Sequence, residues 1–396
     1  MILPFSVGRL PRIEFGAGTL GKLPDIAAQY GQRLLVVVGA HSFLESPHSE
    51  TLLKALRMHG STWDIVHVAG EPSPEMIDDA VVTWRGAGVD AVIGIGGGSV
   101  LDAAKAIAGL LRPGNSVMDH LEGVGPEKPY RGPATPFIAV PTTAGTGSEA
   151  TKNAVLSRHG VNGFKKSFRD EKLIAEYAIV DPDLLASCPP ELIAANGMDA
   201  LTQLLEAYVS IRSNPFTDAL AMAGLEAARD GLIAWYEGGE DAIAGREKMA
   251  LASLLSGACL AQTGLGSVHG LAQPLGSLFP IAHGVVCGTL VAAATKVNLE
   301  VMQARDPGNP ALVKYARVGR LVGDDSHVDE VGARELLVHS LDDWTRTMKL
   351  ARLSTLGVSK ADFPRIIANC RGSSMKTNPI VLTDDEVERI LQLRIG

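Results

Sequence analysis

The residues best suited to chemistry lie in the second half of the chain, where a carboxylate and two histidines occur in apolar surroundings. Asp199, Gln203 and Glu206 are spaced by four and three residues, so a helix here places all three on one face. His269 and His283 follow downstream. An aspartate with two histidines is a set that holds a divalent transition metal and leaves positions open for substrate. The alternative at this point is that the histidines are ordinary, hydrogen-bonded core residues.

A glycine-rich segment in the first half indicates a phosphate site. Residues 89–105 contain an apolar strand pattern, the three glycines Gly96, Gly97 and Gly98, and then a helical pattern that Ser99 could cap. Glycines allow the backbone to approach a ligand, and the exposed amides of a helix start favour a pyrophosphate. The segment is neither the GxGxxG fingerprint nor a Walker A loop. A tight strand-to-helix turn without any ligand is the competing interpretation.

A second candidate loop is rich in hydroxyl groups. Thr142, Thr143, Thr146 and Ser148 directly follow the apolar run 136–140. The carboxyl ends of parallel strands are where open α/β sheets bind ligands, and hydroxyls can reach phosphate or ribose. The alternative is a loop whose side chains only satisfy its own backbone.

Two different patterns along the chain predict the elements that must position these residues. In the first half, apolar runs at 33–38, 62–68, 91–95 and 136–140 alternate with helical stretches, which predicts a doubly wound parallel sheet. Beyond about residue 183, long Ala- and Leu-rich stretches predict helices only. Prolines within 180–190 favour a boundary there. We therefore expect an α/β domain over 1–184 and a helical domain over 185–396.

Composition excludes several classes of protein. The 396 residues carry a net charge of -8, which offers no basic surface for nucleic acid. The four cysteines form no CxxC pair, which argues against a zinc knuckle or a disulfide framework and fits a reducing cytoplasm. The most apolar run, 285–295, is shorter than the ~20 residues that span a bilayer, so no membrane association is expected.

Five segments, taken together, resemble a known family. They are IEFGAG at 13–18, GGGSVLDAAKAIA at 96–108, PTTAGTGSEAT at 141–151, AIVDPDLLASCPPELIAANGMDALTQLLEAY at 178–208 and HGLAQPLGSLFPIAHG at 269–284. In order and spacing they are similar to motifs of the iron-containing, group III alcohol dehydrogenases of the dehydroquinate synthase-like superfamily. The resemblance covers most of residues 10–300. It implies a Rossmann-like NAD(P)-binding α/β domain, an all-α metal-binding domain and a homodimer.

The resemblance also implies roles for individual residues around the cofactor. Gly97, Gly98 and Ser99 correspond to pyrophosphate contacts, and Asp102 to a position beside the nicotinamide. Lys165, or its neighbour Lys166, corresponds to a further contact. The complete set of cofactor residues implied is Gly39, Gly97, Gly98, Ser99, Asp102, Thr142, Thr143, Thr146, Ser148, Lys165 and Leu173.

At the metal site, the chain departs from the family pattern. The pattern has one aspartate and three histidines, of which Asp199, His269 and His283 are present, while Gln203 stands where the remaining histidine belongs. A glutamine carbonyl binds Fe²⁺, the expected metal, or the alternative Zn²⁺ more weakly than imidazole does. Gln273 replaces a histidine near the substrate, and because an amide does not titrate near neutral pH, proton transfer would run through water or the cofactor ribose. We expect Asp199, His269, His283 and Gln273 to act in catalysis and Asp199, Gln203, His269 and His283 to bind the metal.

The sequence leaves the nicotinamide cofactor open. After the first parallel strand no carboxylate stands at 38–42 to repel a 2′-phosphate, and His41 and Ser42 can donate hydrogen bonds, so NADP is allowed beside NAD. We predict an NAD(P)-dependent, metal-assisted dehydrogenase or reductase of a small alcohol or aldehyde. The alternatives are a non-redox lyase or synthase of the same superfamily, a transhydrogenase with permanently bound nucleotide, and a site without metal in which Gln203 hydrogen-bonds the substrate directly.

Overall fold

The computed structural model describes residues 4–40, 43–158 and 163–396. The chain forms two compact units. The first, the α/β unit, comprises Gly8–Cys188. The second, the helical unit, comprises Pro189–Gly396 with the described residues up to Val7. The division falls after residue 188, within the proline-containing segment 180–190.

A six-stranded parallel sheet forms the centre of the α/β unit. Its strands are β1 (Arg12–Phe15), β2 (Arg33–Gly39), β3 (Thr62–Val68), β4 (Ala91–Gly96), β5 (Phe137–Pro141) and β8 (Tyr177–Val180). Two further strands, β6 (Asn153–Arg158) and β7 (Phe164–Arg169), lie between β5 and β8 in the chain and are not part of this sheet. The sheet order is β1-β8-β5-β4-β2-β3, and β6 pairs with β7 in a separate antiparallel ribbon. The predicted doubly wound parallel sheet is confirmed.

The strand order reverses direction between β2 and β4. The chain passes from β2 to β3 on one side and then returns to place β4 on the other side of β2. Val38 pairs with Ile95, and Gly96 pairs with Pro141, so the carboxyl ends of β2, β4 and β5 lie side by side. In open α/β sheets, ligands bind outside the strand ends at such a switch point.

Four helices accompany this sheet, and one of them lies at the heart of the core. They are α1 (Leu23–Ala28), α2 (Pro47–Met58), α3 (Pro74–Trp84) and α4 (Gly98–Leu110). α4 is apolar on nearly every side, because its residues from Val100 to Leu110 are buried except Asp102. A helix with apolar residues all round is stable only inside a core.

The described part of the helical unit contains helices and no strands. They are α5 (Pro190–Val209), α6 (Pro215–Glu237), α7 (Ala242–Thr263), α8 (Ser267–Leu278), α9 (His283–Arg305), α10 (Pro310–Val322), α11 (Glu330–Thr347), α12 (Phe363–Asn369) and α13 (Asp384–Ile395). The predicted all-α second half is confirmed. Its central helices, α5 and α9, are the ones that carry Asp199 and His283.

Among the described residues, α9 is the single helix that is long and apolar enough to cross a membrane by its own length and composition. This helix has 23 residues and is therefore longer than the apolar run 285–295 identified in the sequence. However, 83% of its apolar stretch is buried inside the protein. Core helices of globular domains have the same length and composition, so burial accounts for its apolar character.

Candidate active site

Four side chains from three helices converge inside the helical unit. Asp199 from α5, His269 from α8, and His283 and Cys287 from α9 each present one ligand atom, and these atoms all lie within 4.8 Å of one another. Asp199 Oδ1 is 3.2 Å from His269 Nε2 and 3.8 Å from His283 Nε2. We call these four residues the metal cluster. The structure thus brings together the three residues that the sequence singled out and adds a thiol.

Glu206 fixes the orientation of His269. Its Oε2 lies 2.7 Å from His269 Nδ1, while its Oε1 accepts a hydrogen bond of 2.7 Å from the amide of Val268 at the start of α8. The carboxylate therefore holds the proton on Nδ1 and leaves Nε2 directed at Asp199. Such carboxylate–histidine pairs set the tautomer and raise the basicity of metal-binding imidazoles.

Two glycines allow α9 to approach α5 closely enough to form the cluster. A Cβ atom on Gly284 would lie 2.3 Å from the carbonyl oxygen of Ala195, and one on Gly288 would lie 2.8 Å from Met198 Cβ. Both contacts are closer than real Cβ atoms allow. Because Gly284 follows His283 and Gly288 follows Cys287, each glycine brings its neighbouring donor close to Asp199.

Two glutamines lie one helical turn from metal-cluster residues. Gln203 is buried on α5, where its side chain hydrogen-bonds to Asp199 and its Oε1 lies 3.4 Å from Ser256 Oγ. Gln273 lies on α8, four residues after His269, and its Oε1 is so near Gly372 that a Cβ there would lie 2.7 Å away. The role of Gln203 as a ligand and of Gln273 in catalysis both remain predictions.

The groups of the metal cluster shift one another's ionisation. Burial opposes ionisation of Asp199, but His283 and His269 together lower its pKa to about 2. Burial raises the pKa of the Cys287 thiol to about 12, against the opposing influence of His269. In the metal-free protein the two histidines supply the counter-charge of Asp199, and a divalent cation bound to their ring nitrogens would take over that role. Carboxylate, imidazole and thiol donors are an appropriate set for Fe²⁺ or Zn²⁺.

In the α/β unit, the predicted cofactor residues gather at the carboxyl edge of the sheet. Gly39 ends β2, Gly97 and Gly98 follow β4, and the threonine loop follows β5. The amide of Thr142 donates a 3.0 Å hydrogen bond to the carbonyl of Gly96, which ties the second loop to the first. This edge includes the switch point between β2 and β4.

The two loops approach each other closely at Gly97 and Gly98. A Cβ on Gly98 would lie 2.8 Å from Thr146 Oγ1, and one on Gly97 would lie 3.2 Å from Thr143 Oγ1. Gly97 is the N-cap of α4 and supplies no side-chain cap, whereas Ser99, expected as a cap, lies within the first turn. The first amides of α4 are thus available to an anion, as at other helix N-termini.

Behind these loops lies a buried lysine that the sequence analysis missed. Lys105 Nζ donates to the carbonyls of Ser148 and Asn153 at 2.8 and 2.6 Å, and to Thr151 Oγ1 at 3.0 Å. It also donates to Ser148 Oγ at 3.0 Å, and that hydroxyl in turn donates to Asp102. We call these five residues the lysine network.

The lysine network explains where Asp102 and Ser148 lie. Asp102 accepts hydrogen bonds from Ser148 and from the amide of Val155, 3.1 Å away, so both its oxygens are held by protein groups. Burial raises the pKa of Asp102 and lowers that of Lys105, and each partly offsets the other's shift. The neighbouring Glu149 is also buried, which raises its pKa to about 7.

The remaining predicted cofactor residues lie apart from the loops. Lys165, on β7, forms an ion pair with Glu71. Leu173 is buried in the core and packs directly against Gly109 of α4, so closely that a Cβ atom on that glycine would lie 2.5 Å from Leu173 Cδ2. Their contact with a cofactor stays a prediction. His41 and Ser42, on which the NADP interpretation depended, lie outside the described residues.

The signals for the missed residues are weak. Cys287 stands four residues after His283 inside an apolar helix, so only helical periodicity could have placed it with the histidines. Lys105 and Glu149 belong to charged types that are rarely buried, and their sequence neighbourhood does not mark them as exceptions.

Known proteins match the chain along nearly its whole length. Residues 11–182 match the family described as iron-containing alcohol dehydrogenase, and residues 193–395 match the C-terminal family of Fe-containing alcohol dehydrogenases. The chain therefore belongs to the iron-containing alcohol dehydrogenase family.

Individual relatives support the same assignment. Alcohol dehydrogenase 4 of Saccharomyces cerevisiae (strain YJM789) is 31% identical over 388 residues, which are 97% of each chain. The NAD-dependent methanol dehydrogenase of Bacillus methanolicus is 29% identical over 387 residues, covering 96% of this chain and 97% of that one. The crystal structure of a 1,3-propanediol oxidoreductase superposes with a TM-score of 0.87 at 26% identity, covering 99% of this chain and all of the other. The chain is thus an NAD(P)-dependent oxidoreductase acting on CH–OH groups.

Proposed function

We propose that this enzyme interconverts a small primary alcohol and its aldehyde at a metal held by Asp199, His269 and His283. The observation that carries the proposal is the convergence of these donors within 4.8 Å on three separate helices. The names of relatives that act on methanol, butanol and lactaldehyde support a small substrate, and favour redox chemistry over a lyase or synthase.

Each residue of the site has a defined task in this proposal. Asp199 would supply negative charge as the carboxylate ligand of the metal. His269 presents Nε2, since Glu206 binds Nδ1. A divalent metal bound here would act as a Lewis acid that polarises the aldehyde carbonyl or stabilises the alkoxide. Gln273, one turn from His269, would hydrogen-bond the substrate without exchanging protons near neutral pH.

The α/β unit would hold the nicotinamide nucleotide at its two loops. The pyrophosphate would bind the first amides of α4 at Gly97, Gly98 and Ser99, as anions do at helix N-termini. The hydroxyls of Thr142, Thr143 and Thr146 would contact the phosphate or ribose. Gly39, at the end of β2, would lie beside the nucleotide. One relative is named for NAD and another for NADPH, so the choice between the two cofactors stays open.

The isosteric variant Asp199→Asn tests the metal assignment. It removes the charge but keeps the shape, so we expect loss of bound metal and a fall in turnover of at least about a hundredfold, since Lewis-acid stabilisation is worth several kcal/mol. Turnover is read at the nicotinamide absorbance with a panel of small aldehydes, and metal by elemental analysis. Asp385→Asn, an exposed change on α13, is the control. Wild-type turnover in Asp199→Asn would refute the proposal.

Three further properties are also proposals. The domain limits 1–184 and 185–396 predict that each region unfolds as a unit, which limited proteolysis tests. The four cysteines are free, which supports a reducing, cytoplasmic location. A homodimer is implied by the family, and sedimentation of the purified enzyme tests it.

A further inference from the structure

The most informative residue that the family pattern does not account for is Cys287. Its Sγ lies 3.6 Å from His269 Nε2 and 3.8 Å from His283 Nε2. The side chain is fully buried, and it belongs to the same four-residue group as Asp199. The thiol therefore faces the two nitrogen atoms and the carboxylate oxygen that the proposed function assigns to the metal.

The separations between these atoms match those of ligands around one ion. At a tetrahedral centre with bonds of ~2.0–2.1 Å to nitrogen and ~2.3 Å to sulfur, a nitrogen and a sulfur ligand are ~3.6 Å apart. The two sulfur–nitrogen distances in the metal cluster are 3.6 and 3.8 Å. For oxygen and nitrogen ligands the same geometry gives ~3.4 Å, against observed distances of 3.2 and 3.8 Å. Four of the six separations between donor atoms thus lie within a few tenths of an ångström of the tetrahedral values, and the other two are within 4.8 Å.

Gln203 is the competing fourth ligand, and its contacts point elsewhere. Its side chain hydrogen-bonds to Asp199, and its Oε1 lies 3.4 Å from Ser256 Oγ. An amide that donates to the Asp199 carboxylate turns its NH₂ group, which cannot bind a metal, toward that side. The oxygen that would have to be the ligand lies on the side of Ser256, 3.4 Å from its Oγ. The glutamine is therefore placed to orient Asp199.

We propose that Cys287 is the fourth protein ligand, so that this enzyme binds its catalytic metal through one carboxylate, two imidazoles and one thiolate. The substrate oxygen would then bind as a fifth ligand, because catalytic zinc sites can expand to five-coordinate. This inference rests on the proposed metal site and specifies its composition. When the sulfur binds the ion, the S–H proton passes to solvent and a metal–sulfur bond replaces it. A thiolate compensates for the missing imidazole and favours Zn²⁺, or Fe²⁺ in a sulfur-containing site, over harder cations such as Mg²⁺ and Mn²⁺.

Cobalt substitution tests the proposal directly. The full-length enzyme is stripped with a chelator and reloaded with Co²⁺, whose visible bands report binding and whose near-ultraviolet sulfur-to-metal charge-transfer band reports a thiolate ligand. We expect the wild-type enzyme to show both features. Cys287→Ala should lose the charge-transfer band. Loss of a residue that only hydrogen-bonds a metal ligand lowers metal affinity by ~10- to 100-fold, so loss of a ligand itself should lower the Zn²⁺ affinity by at least that factor.

Two matched variants locate the effect. Cys259→Ala removes another buried cysteine, one that contacts the Thr217 carbonyl on neighbouring helix α6, and should retain the band and the wild-type affinity. Gln203→Leu removes the competing oxygen donor and should also retain the charge-transfer band.

The possible results separate this inference from the proposed function. Visible Co²⁺ bands in the wild-type enzyme without a charge-transfer band would refute Cys287 as a ligand and leave the metal site intact. A charge-transfer band that persists in Cys287→Ala would refute it equally. If the wild-type enzyme binds neither Co²⁺ nor Zn²⁺, both the inference and the proposed metal function are refuted.

Discussion

The two units of this enzyme each bury a polar group of residues, but they balance its charge in opposite ways. In the lysine network, the cation is covalently part of the chain, and Lys105 satisfies its donors with Ser148, Thr151 and Asn153. In the metal cluster, the carboxylates of Asp199 and the neighbouring Glu206 instead face histidines and a thiol. Buried charges are retained only when they are paired. The comparison teaches that one group is complete within the protein, whereas the other is arranged to receive a cation.

The location of each group follows from this difference. The lysine network joins α4 to the segment after the threonine loop, because Lys105 and Asp102 lie on α4 while Ser148 and Thr151 lie beyond β5. It therefore fixes the two loops that are proposed to hold the nucleotide. The metal cluster joins α5, α8 and α9, and its residues are the ones proposed to bind the metal that acts on the reacting oxygen. One group positions a binding site, and the other forms one.

The largest effect that the comparison predicts is on stability. Lys105→Met keeps the length of the side chain but leaves Asp102 without its buried counter-charge, 3.7 Å away. Breaking a buried pair from one side costs about 3–5 kcal/mol, and we expect a loss of this size in the free energy of unfolding. Chemical denaturation measures it. Lys22→Met, which removes an exposed ion pair with Glu14, should cost less than about 1 kcal/mol. Equal stability of the two variants would show that the lysine network is not a structural pair.

The second prediction concerns pH and also belongs to the α/β unit. Burial raises the pKa of Glu149 from 4.5 to about 7, so between these values the folded state binds more protons than the unfolded state. Stability contributed by this group therefore falls as pH rises from about 4.5 to 7, by up to about 3 kcal/mol. Glu149→Gln should remove that part of the slope in denaturation at pH 5 and pH 8. Glu50→Gln, at an exposed carboxylate on α2, should retain it. Identical slopes for wild type and Glu149→Gln would contradict the assignment.

Sequence reasoning predicted the fold well where the physical signal was long. The runs that became β2, β4 and β5 are continuous and apolar because parallel strands inside a sheet are covered on both faces. The edge strand β3, with the sequence TWDIVHV, is only partly buried and was still recognisable from its β-branched and aromatic residues. β8 was missed, since four residues are too few to distinguish a strand from a loop. The β6–β7 ribbon was missed because its second strand, FKKSFR, is mainly polar and half-buried.

At the site, sequence reasoning found residues with a motif and missed those defined only by packing. Asp199, His269 and His283 lie in segments that resemble family motifs. Cys287 becomes a candidate ligand only in the folded protein, where two glycines of α9 allow that helix to pack closely against α5. Lys105 was missed for a related reason. A lysine in a helical pattern is normally exposed, and its burial depends on the later segment 148–153 folding over it.

The smallest predicted effect sharpens the comparison from the side of the metal cluster. Glu206→Gln keeps an oxygen that can accept the Nδ1–H of His269 but removes the negative charge 2.7 Å away. Because such partners tune a metal-binding imidazole without touching the metal, we expect a loss of about 10- to 100-fold in Zn²⁺ affinity. The amide has one oxygen for the two buried hydrogen bonds that the carboxylate accepts, so the metal-free protein should also lose about 1–3 kcal/mol of stability. Competition with a chromophoric chelator measures the affinity. Glu191→Gln, an exposed carboxylate on the same helix, should bind Zn²⁺ as the wild type does. If Glu206→Gln instead destabilised the metal-free protein as strongly as Lys105→Met does, the metal cluster would be a self-sufficient structural group like the lysine network, and the contrast between the two units would not hold.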